Sequence, residues 1–108
     1  MSTDALVFAL KTTFDAEIAG PLTAAVQLRL GDDRFHARVE NGEFRVARGE
    51  IDEPDVTITA DAPTLQALVF ADRPLAQAEQ FDNATIIGAR EVAEHLLRCF
   101  PRTVRVTR

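Results

Sequence analysis

In the stretch AREVAEHLLRCF, His95 and Cys99 stand four residues apart, a spacing that brings two side chains to one face of a helix. An imidazole beside a thiol could be a nucleophile with its base, or part of a zinc site. Zinc needs at least three protein ligands, and His36 is the only other imidazole in the chain. A cysteine nucleophile also needs a group to orient its base and donors for an oxyanion, and the sequence offers neither. By helical position Cys99 falls at the apolar edge and His95 at the polar boundary, so structural roles are the simpler reading. Glu50, Asp52, Glu53 and Asp55 raise the question of calcium, but they lack the glycine turn and distal glutamate of an EF-hand loop, and read as a solvated loop. Asp61 and Asp72 each precede a helical pattern and read as caps rather than as catalytic acids. The segment RLGDD is a turn, not a phosphate loop. Ser2 is the only serine, at a chain end, and there is no tryptophan or tyrosine. Catalytic chemistry therefore has few carriers here, and neither a metal nor a cofactor is expected.

The elements that would position a site are easier to read. In PLTAAVQLRL, Leu22, Ala24, Val26, Leu28 and Leu30 alternate with Thr23, Gln27 and Arg29 as in a half-buried strand. FHARV repeats the alternation, and Asn41-Gly42 marks a hairpin into EFRVAR. Val56 and Ile58 in VTIT give a fourth strand, read as continuing an antiparallel meander over 22–48 and 56–59. Asp61 with Pro63 opens one helix, and Asp72 with Pro74 a second. NATIIG carries a last short strand, 84–88, and 89–100 an amphipathic helix that stops at Pro101. The N-terminal ALVFALKTTF fits either a helix or a helix-strand mixture. Strands first and helices afterwards define an α+β domain over 1–108: an antiparallel sheet of about five strands with helices on one face.

At 46% hydrophobic and 27% charged residues the composition is that of an ordinary soluble domain. The net charge of −5 disfavours direct nucleic-acid binding, although the tail carries Arg98, Arg102, Arg105 and Arg108 without an acid. The start of the chain lacks the marks of a signal peptide, and the lone Cys99 cannot form an internal disulfide, so a cytoplasmic location is expected.

The order AAVQLRLGDDRFHARVENGEFRVARG, then PDVTITADAPTLQALVFADRPLAQA, then ATIIGAREVAEHLLRCF resembles the sterol carrier protein type 2 (sterol-binding, lipid-transfer) family. The likeness is to its short bacterial form at the C-terminus of some winged-helix regulators. Gly88 and Phe100-Pro101 match the family's ending. Ala89 stands where the family often has an acid, and Ala71-Asp72 where it often has a glycine. The resemblance implies non-catalytic binding or transfer of a lipid, fatty acyl chain or sterol-like molecule in a cavity between sheet and helices. The cavity-lining side chains it suggests are Leu65, Leu68, Val69, Leu75, Phe81, Leu96, Leu97 and Phe100. The alternative is a filled-core effector or dimerisation module, a homodimer or the partner of a DNA-binding transcription regulator, with the same side chains closing the core.

Overall fold

The computed structural model describes residues 3–71 and 73–100. Ser2, Asp72, Pro101 and the tail arginines Arg102, Arg105 and Arg108 lie outside the described residues. The ambiguous N-terminal segment folds as helix α1 (Thr3–Thr13), with Leu6, Val7 and Leu10 buried along one side. A single capped turn, α2 (Ala16–Ala19), follows; the Asp15 carboxylate accepts hydrogen bonds from the backbone N–H groups of Glu17 and Ile18 at 2.9 and 3.2 Å.

Strands β1 (Ala24–Leu30), β2 (Asp33–Glu40) and β3 (Glu43–Arg48) form an antiparallel meander. Asn41 and Gly42 join β2 to β3 with φ of 54° and 75°, the pair of left-handed residues that a tight hairpin requires. Strand β4 (Val56–Ala60) departs from expectation. It does not extend the meander but lies beside β1, parallel to it, with Val26 opposite Val56 and Leu30 opposite Ala60. Strand β5 (Thr85–Gly88) pairs antiparallel with β4, so the order is β3-β2-β1-β4-β5 and the five-stranded sheet is mixed rather than antiparallel.

Side-chain hydrogen bonds account for this switch. Gln27 alternates with Val26 and Leu28 along β1, yet it is buried, and its amide meets the returning chain at Gly49 and Ile51. Its Nε2 donates to the carbonyls of Phe35 and Gly49 at 3.0 and 3.2 Å, and its Oε1 accepts from the Ile51 N–H at 3.0 Å. Asp55 then grips β1: its N–H donates to the Ala25 carbonyl and its carboxylate accepts from the Ala25 N–H, both at 2.7 Å. Held at these points, the chain enters β4 alongside β1.

Helix α3 (Ala62–Phe70) begins as the sequence suggests, with Asp61 Oδ1 accepting from the Thr64 N–H at 2.8 Å and Pro63 in the first turn. Helix α4 (Leu75–Phe81) differs: Pro74 itself is the N-cap, and no side chain caps the helix. Helix α5 (Arg90–Leu97) likewise starts at Ala89 without a side-chain cap. Among the ion pairs, Glu79 grips Arg90 through two hydrogen bonds and ties α4 to the start of α5. Arg73 pairs with Asp82 across the two ends of α4.

Hydrogen bonds from Thr64, side chain first and backbone second, hold the Asp61 carboxyl below the usual carboxylate range. A carboxyl whose pKa is lower folded than unfolded adds stability above its unfolded value, about 3.9, and that stability is lost as pH falls through the folded value. Asp61→Ala should cost about 1 kcal/mol near neutrality, as cap losses do. Asp61→Asn should keep most of the cap and show a smaller drop in melting temperature on acidification below about pH 4. Thermal melts across pH read both outcomes.

Candidate functional site

The inward faces of β1, β2 and β4 are closed by buried side chains, Ala24 to Leu30, Phe35 to Val39 and Val56 to Ala60. The helices cover this face, and between the two layers lies an apolar pocket. Leu28 and Ile58 form its floor, and Phe44 its wall on β3. Leu10 contributes from α1, Leu65 and Val69 from α3, Leu96 and Leu97 from α5, and Phe100 from just beyond α5. The interatomic space, its mouth included, amounts to about 270 Å³, and it has room for about one water molecule. No polar side chain among the described residues lines it. Among the described residues no buried side-chain nitrogen or oxygen lacks a partner, so nothing in the lining calls for a polar ligand group.

Five of the eight residues singled out from sequence therefore come together here: Leu65, Val69, Leu96, Leu97 and Phe100. Leu68 and Leu75 are buried elsewhere in the core. Phe81, the last residue of α4, is 67% exposed and takes no part in the lining. Sequence reasoning passed over the lining residues Leu10, Leu28, Phe44 and Ile58. The inward alternation of Leu28, Phe44 and Ile58 was visible on the strands, but a pocket residue and a core residue leave the same pattern.

One side of the pocket is aromatic. Phe44 and Phe100 meet edge to face with centroids 5.4 Å apart and ring planes at 82°. Phe14, in the joint between α1 and α2, stacks on Phe44 at 5.4 Å and 19° and meets Phe100 at 5.8 Å and 63°. Such offset and edge-on contacts suit the ring quadrupoles.

The pair that opened the sequence reading serves the scaffold. A ring nitrogen of His95, Nε2, lies 2.9 Å from the Ile18 carbonyl and ties α5 to α2. The Cys99 thiol donates to the His95 carbonyl at 3.3 Å and is fully buried. Burial pushes its pKa up to about 11, with Arg98 opposing and Asp15 assisting. At neutral pH the thiolate is then scarce. A disulfide reagent such as Ellman's should leave the folded protein unlabelled over the time in which the urea-unfolded chain reacts completely; equal rates would contradict this placement. Among the described residues no group of three or more His, Cys, Asp or Glu side chains converges as a metal site. No helix among them is long and apolar enough to cross a membrane.

The five-stranded mixed sheet with its helices shares its fold with solved sterol carrier protein 2-like structures, the class the sequence resembles. The profile of the family described as alkyl sulfatase C-terminal matches residues 1–103, and the chain belongs to that family. The stereoselective inverting sec-alkylsulfatase Pisa1 from Pseudomonas sp. is similar at a TM-score of 0.84 and 16% identity, over 96% of this chain but 17% of the enzyme. The chain thus spans about a sixth of that enzyme's length. The ubiquinone synthesis protein UbiJ-SCP2 is similar at 0.69 and 14% identity, over 88% of this chain and 89% of its own. Palmitated SCP2L2 from Aedes aegypti is similar at 0.65 and 17%, over 90% of this chain and 92% of its own. At such identities the likeness establishes the fold. No curated protein matches the sequence.

Proposed function

We propose that this domain binds an apolar chain, acyl or alkyl, non-catalytically in the pocket between the sheet and α1, α3 and α5. The observation that carries the reading is the lining itself: every described side chain around the space is hydrocarbon, drawn from both layers of the fold. The relatives support the same chemistry. One is described as palmitated, and another acts on sec-alkyl sulfates, substrates that carry an alkyl chain. Only the apolar part of such molecules has a counterpart in this pocket; a charged head would stay outside, because burying it unpaired is costly.

Binding requires the walls to part, since pockets for drug-sized ligands run to about 300–1,000 Å³. The small room in the pocket also favours a second reading, in which the same side chains complete a filled core and the domain is an effector or dimerisation module. Native mass spectrometry separates the two. The purified chain, incubated with palmitate and with dodecyl sulfate, should carry one bound molecule that shifts its mass and raises its melting temperature. An unshifted mass across such a panel would remove the carrier reading and leave the filled-core module.

A further inference from the structure

We propose that Phe14, which does not line the pocket, sets the length of the apolar chain it accepts; this rests on the binding reading above. The wall formed by Phe44 and Phe100 differs from every other wall, which is built of leucine, isoleucine and valine. Aliphatic side chains yield to a ligand by changing rotamer, whereas a ring must swing as a plane and needs empty space behind it. Here the space behind is filled. Phe14 stacks against Phe44 and abuts Phe100, occupying the space into which either ring would turn on that side.

The backbone that follows Phe14 is tied twice to the end of α5. The next residue, Asp15, donates its N–H to the Cys99 carbonyl at 2.7 Å, and His95 bonds the Ile18 carbonyl at 2.9 Å. The α1–α2 joint is thereby registered against the end of α5, the segment that carries Phe100. A hydrocarbon chain extending toward this wall meets a two-layered aromatic stop whose outer layer is fixed by backbone hydrogen bonds. Without the Phe14 ring, Phe44 and Phe100 gain room to turn, and the pocket lengthens in that direction.

The test compares wild type, Phe14→Leu and Phe14→Ala across straight-chain fatty acids from octanoate to stearate, by competitive native mass spectrometry, with thermal melts showing that each protein is folded. The chain length bound best should move upward in Phe14→Leu and further in Phe14→Ala. Each methylene newly accommodated should improve affinity about fourfold, the value of one buried CH₂. If Phe14→Ala does not fold, the length profile of Phe14→Leu decides. An unchanged length profile in a folded variant, whether or not exchange is faster, overturns the proposal while the binding reading stands. If wild type binds no member of the series, the binding reading fails and the role of Phe14 falls with it.

Discussion

Gln27→Leu should unfold the domain at much lower denaturant than wild type, losing about 3 kcal/mol or more. The substitution keeps a similar volume and adds apolar surface, so a hydrophobic count alone would predict little change. What it removes, among the described residues, is the side-chain partner of the Gly49 carbonyl and the Ile51 N–H, and a second partner of the Phe35 carbonyl, which also stands in the ladder opposite Leu28. Each buried backbone group left without a partner costs about 1–3 kcal/mol, reduced wherever water reaches it. The damage should be local in origin and global in effect. Residues 49–51 would lose their side-chain hold on the sheet, leaving Asp55 on Ala25 to carry alone the constraint that seats β4 against β1 and places Ile58 beside Leu28 in the pocket floor. Urea titration gives the free energy, and amide exchange at Ile51 should accelerate even under native conditions. A stability within about 0.5 kcal/mol of wild type, the range of ordinary surface substitutions, would show that Gln27 does not hold the crossover.

Gly88→Ala should be of similar severity for a different reason. Gly88 ends β5 at φ +107°, a backbone conformation that residues with a Cβ rarely adopt. A Cβ placed there would stand 2.5 Å from the Asp55 carbonyl oxygen and 3.0 Å from the Val56 Cα, both of them backbone atoms. Neither can move cheaply, because the Asp55 carbonyl accepts the Ala89 N–H at 2.9 Å and Val56 is paired with Gly88 in the sheet. Backbone strain alone costs about 1–3 kcal/mol, and the overlap adds to it. The consequence reaches the site: Ala89 starts α5, so a displaced Gly88 shifts the helix that brings Leu96 and Leu97 to the pocket. A thermal melt should show a large drop, and any folded remainder should bind acyl chains less well. A melting temperature equal to wild type would mean that the junction is looser than the structure shows.

Local rules carried much of the fold into the sequence. Asn41-Gly42 was legible because a two-residue hairpin demands positive φ twice, and Asp61 because a capping carboxylate followed by Pro63 leaves little but a helix start. The alternation of Val56 and Ile58 identified a strand and its buried face. It could not identify the neighbour, because alternation is the same whichever strand lies alongside. The neighbour is chosen by Gln27 and Asp55 through contacts distant in sequence, and a glutamine on the outer side of a strand looks like any solvated residue. Helix α2 escaped notice since one turn has no period; Asp15 before it and Gly20 after it were the available signals.

The pocket was half legible for a related reason. Leu65, Val69, Leu96, Leu97 and Phe100 were named because apolar helix faces must meet something, and the resemblance supplied a cavity for them to meet. Phe81 misled, since α4 ends on it and turns its ring to solvent. Phe44 and Phe14 were invisible as partners: ring stacking between a joint, an edge strand and a C-terminal segment has no signature in spacing.

The most direct test of the central claim is a methyl-resolved NMR titration of the folded chain with a straight-chain fatty acid. The account predicts saturable shifts at one equivalent on the methyl groups of Leu65, Val69 and Leu96, with Phe44 and Phe100 ring signals moving in step and the exposed Phe8 and Phe81 unaffected. Shifts confined to Phe8, Phe81 and Ile87, or none at all at saturating ligand, would contradict it and leave the space between sheet and helices as packed core.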